Sequence, residues 1–148
     1  MLSVAAVTRG HALDSRARIL VVEEEPIVAI MLDDALNEAG YHVLGPVENL
    51  KAAIHLAATE SIDAAVVDTN IDGQIAEGVT DKLMERGIPF VFIDSHARLI
   101  NLRYSEIGQL QKPFTIENLH LTITRLLQRS RTAPPSNAIP FDNLIIGV

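Results

Sequence analysis

The sequence predicts an α/β fold: a parallel five-stranded sheet covered by helices on both faces. Three observations carry that reading. Short apolar runs of strand length recur along the chain, and segments with helically spaced apolar residues lie between them. The runs also lack the apolar–polar alternation of a sheet with one wet face, so both faces need cover.

Arg18-Ile-Leu-Val-Val22 reads as the first buried strand. Pro26 to Ala39 follows as a helix, with Val28, Met31, Leu32, Ala35 and Leu36 on one stripe. Pro26 suits the first turn and Gly40 the stop. His42 to Val47 is the second strand, and Leu50, Ala53, Ile54 and Ala57 mark the second helix. Ala64-Ala-Val-Val67 is the third strand, followed by a polar, glycine-containing loop from Asp68 to Gly73. Thr80 to Arg86 is expected to be helical, closed by Gly87, and Pro89-Phe-Val-Phe-Ile93 is the fourth strand. Residues 97–106 read as a short helix or a loop. Gly108 to Gln111 is a short fifth strand. Thr115 to Leu127 is the clearest helix, with Thr115 as N-cap and Ile116, Leu119, Ile123, Leu126 and Leu127 on its stripe.

Composition narrows the function. The length of 148 residues suits one domain with its own core, and 48% hydrophobic residues argue against disorder. A net charge of −7 disfavours nucleic acid, and no basic patch suggests a membrane surface. No apolar run is long enough to span a bilayer, and the N-terminus lacks the charge and length of a signal peptide, so a cytoplasmic location is expected. With no cysteine, disulfides and thiolate chemistry are excluded. The five histidines, His11, His42, His55, His96 and His120, are scattered without metal-ligand spacing and read as structural or exposed. The acidic excess lies in residues 18–128, read as the folded body; 1–17 read as an N-terminal extension and 129–148, with Pro134-Pro135, as a flexible tail.

In sheets of this kind ligands bind beyond the carboxyl ends of the strands. There the chain places Glu23-Glu24-Glu25, Asp68, Asp94-Ser95 and Lys112-Pro113-Phe114. Clustered carboxylates repel, by roughly 4 kcal/mol for a pair ~4 Å apart at an effective dielectric of about 20. A cation relieves that, and carboxylate oxygens without thiolates or clustered imidazoles suit Mg²⁺ (or Mn²⁺). With a lysine to hold a phosphoryl oxygen, the set points to phosphoryl transfer onto an aspartate.

Three motifs, Ile19-Leu-Val-Val-Glu-Glu-Glu-Pro26, Asp63-Ala-Ala-Val-Val-Asp-Thr-Asn70 and Leu110-Gln-Lys-Pro-Phe114, resemble the CheY-like receiver domain of two-component response regulators over about residues 17–128. Gly40-Tyr-His-Val-Leu-Gly-Pro46 and Ile88-Pro-Phe-Val-Phe92 are similar to stand-alone alphaproteobacterial single-domain regulators. The resemblance implies a flavodoxin-like (βα)5 sandwich with strand order 2-1-3-4-5. It implies Asp68 as acceptor of a phosphoryl group from a histidine kinase or phosphotransferase. It implies Glu24 as the main side-chain Mg²⁺ ligand with Glu23 beside it, and the Asn70 backbone carbonyl as a further ligand. Lys112 would pair with Asp68 and then with the phosphoryl group, followed by a cis Pro113. Output would pass to a protein partner through the family's α4–β5–α5 face, here residues 97–106, the fifth strand and the last helix; a homodimer is left open.

Two positions depart from the family pattern. Glu24 stands where the acidic pair usually has Asp, and Asp94 where strand four usually ends in Thr or Ser; Ser95 is the candidate substitute. Gln109 stands where many receivers carry an aromatic, so the rearrangement is expected in the loop of residues 94–106. The chain therefore reads as a phosphoacceptor rather than an enzyme. A degenerate receiver that binds partners without phosphorylation is the alternative, and an aspartyl-phosphate hydrolase is disfavoured by Asn70 in place of a second acid.

Overall fold

A computed structural model describes residues 16–94 and 107–132. Its central strands are β1 (Arg18–Val22), β2 (His42–Val47), β3 (Ala64–Asp68), β4 (Phe90–Asp94) and β5 (Gln109–Gln111). They form one parallel sheet in the order β2-β1-β3-β4-β5. Between them run α1 (Pro26–Glu38), α2 (Leu50–Thr59) and α3 (Glu77–Glu85), and a C-terminal helix spans Ile116–Thr132. The architecture is the one expected. Residues 97–106, read as a short helix or a loop, lie outside the described residues, as do Ser95, residues 1–15 and residues 133–148; residues 129–132, expected to begin the flexible tail, belong to the C-terminal helix.

Burial follows strand position. Every residue of β3 and β4 is buried, whereas β5, at the edge, buries only Leu110 between exposed Gln109 and Gln111. Alternate side chains build two cores, because successive strand residues point to opposite faces. Leu20, Val22, Ala65, Val67, Phe90 and Phe92 face the side of α2 and α3. Ile19, Val21, Ala64, Val66, Val91 and Ile93 face α1 and the C-terminal helix. The Phe90 and Phe92 rings pack edge to face, centroids 5.6 Å apart.

Local chemistry sets the helix ends. Asn49 caps α2, its side chain accepting from the Ala52 amide at 2.8 Å, and Thr115 caps the C-terminal helix, accepting from Asn118 at 3.0 Å. That helix continues past Leu127, where the apolar stripe ends, to Thr132. Helix α3 begins at Glu77, a turn ahead of the expected Thr80. The loop expected after β3 is instead partly a hairpin, Asn70–Ile71 against Gln74–Ile75, with Asp72 (φ 56°) and Gly73 (φ 75°) turning it.

A bulge in β2 aims the end of β1. Leu20 pairs with Leu44 and Val22 with Val47, so Gly45 and Pro46 together oppose Val21. The next amide, Glu23 N–H, then donates to the Val47 carbonyl at 3.0 Å. Gly45 has φ +103°, and a Cβ there would sit 2.7 Å from the Val21 carbonyl oxygen and the Val47 nitrogen. Both obstacles are backbone. Gly45→Ala is expected to cost about 2 kcal/mol, read as a lower urea midpoint at unchanged m value; an unchanged midpoint would refute this account of the bulge.

Candidate functional site

The carboxyl edge of the sheet brings three strand ends together. The buried run Ile19–Val22 carries Glu23 inward, 1% exposed, and the wholly buried β3 does the same for Asp68, 6% exposed. Asp68 Oδ1 accepts from the Asn70 amide at 3.1 Å, an Asx-type turn that starts the hairpin. Lys112 leaves β5 through a cis peptide bond to Pro113, as expected. Its backbone N–H donates to the Asp94 carbonyl at 2.6 Å, tying it to the end of β4.

Lys112 Nζ lies at the centre of the cluster. It stands 3.1 Å from Glu23 Oε1, 2.5 Å from Glu25 Oε1 and 3.4 Å from Asp68 Oδ2. Thus of the expected residues, Glu23, Asp68 and Lys112 meet directly.

The electrostatics follow from burial. Glu23 is pushed up from 4.5 to about 7, first by burial and then by its hydrogen bond with Asp68; the Glu25 backbone amide and Lys112 oppose the rise. Burial lowers the Lys112 value, but Glu25, Asp68 and Glu23 outweigh it and hold the ammonium above its ordinary range.

Glu24 lies apart from this cluster: its Oε1 accepts from the Asp72 amide at 2.8 Å, and the side chain lines an acidic hollow with Glu25, Glu48, Asn49 and Asp72. Asp94 is 2% exposed and its Oδ2 accepts from Gln109 Nε2 at 3.4 Å. Asp94 and Gln109, both at positions where the chain departs from the family pattern, therefore touch each other, whereas Glu24 is turned to the hairpin.

Glu25 is the site residue that sequence reasoning left without a role. The Glu-Glu-Glu run was visible, but nothing along the chain says which of three consecutive acids reaches a lysine 87 residues away. The Asp72 amide was equally hidden, because its placement depends on the hairpin.

Two features bear on a cation. Glu23 Oε1 is buried without an aligned hydrogen bond, its ion pair with Lys112 notwithstanding, and Asn70 Oδ1 is buried without a partner. No group of three or more His, Cys, Asp or Glu among the described residues is arranged to hold a metal. The two buried carboxylates of Glu23 and Asp68 fit Mg²⁺, which takes one or two carboxylates and fills its shell with water.

The family model described as the response regulator receiver domain matches residues 19–124. The transcriptional regulatory protein TctD of Salmonella typhimurium is 31% identical over 119 residues, 76% of this chain and 53% of that protein. The phyllosphere-induced regulator PhyR of Methylorubrum extorquens is 26% identical over 141 residues, 88% of this chain and 52% of that protein. The chain thus spans about half the length of these curated relatives. The solution structure of SdrG from Sphingomonas melonis is 32% identical with a TM-score of 0.69, covering 78% of this chain and 99% of that one.

Proposed function

This chain belongs to the response regulator receiver domain family, and on that premise we propose that Asp68 accepts a phosphoryl group from a histidine kinase or phosphotransferase. The observation that carries the reading is the buried pairing of Asp68 and Glu23 around the Lys112 ammonium. In the transfer, an Asp68 carboxylate oxygen attacks phosphorus in line. The phosphorus–nitrogen bond of the donor phosphohistidine breaks, and the imidazole nitrogen keeps the electron pair. Catalysis is positioning and charge neutralisation. The Asn70 amide holds Oδ1, leaving Oδ2 on the Lys112 side. Lys112 is poised to take a phosphoryl oxygen.

Glu23, Asp68 and the Asn70 carbonyl would hold the Mg²⁺, which when bound neutralises charge on the phosphoryl oxygens. Glu24, the main ligand by resemblance, would reach it only by leaving the Asp72 amide. The folded body of residues 18–128 would pass the signal to a protein partner over β5, the C-terminal helix and the segment 97–106. The donor would approach over the hollow beside α1, of about 420 Å³ and lined by Ile27, Val28, Met31 and Phe114 among others. Ile27, 82% exposed, offers it an apolar contact.

The test is intact mass after incubation with acetyl phosphate, with and without Mg²⁺. Wild type is expected to gain one phosphoryl group only with Mg²⁺, and Asp68→Asn none. A second reading draws on the buried Asp94, whose carboxylate would repel a phosphoryl dianion: the fold would serve as a phosphorylation-independent binding module. No mass gain together with no Mg²⁺ binding would favour that module and overturn the phosphoacceptor.

A further inference from the structure

We propose that Glu25 is a positioning residue that holds the Lys112 ammonium away from Asp68 and releases it when a phosphoryl group arrives. The inference rests on the phosphoacceptor reading of Asp68 and deepens it.

Glu25 occupies the N-cap of α1, where a carboxylate ordinarily accepts from the helix's own free amides. It makes no such bond. Its side chain instead crosses to Lys112. The backbone is held on both sides to aim it: the Glu25 N–H donates to Glu23 Oε2 at 3.0 Å, its carbonyl accepts from Ala29 N–H at 2.8 Å, and Pro26 follows. A helix cap has been given up for a contact between distant segments.

An ammonium has three protons, and three carboxylates surround this one. Asp68 has the longest contact of the three, 3.4 Å. The partners also differ in their freedom to leave. The Glu23 side chain is 0% exposed and that of Asp68 9%, whereas that of Glu25 is 54% exposed and can rotate into water. A phosphoryl group on Asp68 adds negative charge on the inner side of Nζ. Lys112 then moves inward, Glu25 swings out, and no strand or helix has to shift. Glu25 thus competes with the phosphoryl group for one cation and weakens its hold.

Glu25→Gln keeps the shape and removes the charge. The probe is beryllofluoride with Mg²⁺, a phosphoryl mimic, titrated onto the full chain. Glu25→Gln is expected to bind it about fivefold tighter, the scale of one partly exposed ion pair. The spectroscopic signature is the ¹⁵Nζ resonance of Lys112. In wild type beryllofluoride should displace it; in Glu25→Gln it should already be displaced before loading. A merely structural Glu25 would change the urea midpoint and leave affinity and resonance alone, which overturns the proposal. An unloaded Lys112 resonance that is the same in both proteins overturns it regardless of loading. A wild type that binds no beryllofluoride, with the resonance still shifted by Glu25→Gln, would bring down the phosphoacceptor reading and with it the role given to Glu25.

Discussion

Lys112→Met is expected to lower stability by about 3–5 kcal/mol at pH 8 without divalent cations. Methionine keeps much of the stem's apolar packing, so the variant reports mainly the charge. What remains is Glu23 and Asp68, 1% and 6% exposed, with Glu25 beside them and no ammonium among them. Two escapes remain, and each has its own signature. Protonation lets Glu23 discharge, so the loss should shrink toward pH 5. A cation can replace the ammonium, so millimolar Mg²⁺ should recover part of the loss by mass action. Urea unfolding at pH 5 and pH 8, with and without Mg²⁺, tests all three statements. A loss independent of both pH and Mg²⁺ would mean that Lys112 contributes packing only.

Glu23→Gln is expected to stabilise the fold above pH 7 and to flatten its pH dependence. The Glu23 carboxyl is raised from 4.5 to about 7, first by burial and then by Asp68. Between those values the native state binds more protons than the unfolded chain. Stability therefore falls as pH rises through that window, and the ionised form carries its full penalty above about pH 7. The size is on the order of 3 kcal/mol, from the linkage between a pKa shift and free energy. Gln cannot ionise, so the variant should gain on wild type steadily from pH 5 to pH 8 in metal-free buffer. Parallel pH profiles for the two proteins would refute the shift. The same penalty is a reservoir for function: a cation bound by Glu23 and Asp68 would relieve it.

How far the site could be read ahead of the structure differs residue by residue. Asp68 and Lys112 were legible because one ends a strand and the other directly follows one, and strand ends are the part of such a fold that pattern locates best. Glu23 and Glu24 were legible as a pair, but their division of labour was not. That division depends on the β2 bulge at Gly45-Pro46, which binds the Glu23 amide to Val47, and on the hairpin, which offers the Asp72 amide to Glu24. The contact of Asp94 with Gln109 was hidden for the same reason. Phe92 pairs with Gln109 and Asp94 with Gln111, so the contact follows from the register of β4 on β5, which no single segment encodes.

By itself, then, the sequence determined the class of fold, the order of its elements and the edge where chemistry gathers. These are consequences of local periodicity and of continuous apolar strands that need cover on both faces. Only the tertiary structure decided which carboxylate faces which partner. Three consecutive glutamates have the same intrinsic preferences. One is buried beside Asp68, one lies on a loop amide and one clasps Lys112 at the rim, because the β2 bulge, the hairpin after β3 and the start of α1 give the three side chains different surroundings. Side-chain direction at a strand terminus is set by neighbouring strands and loops, and those neighbours are distant in sequence.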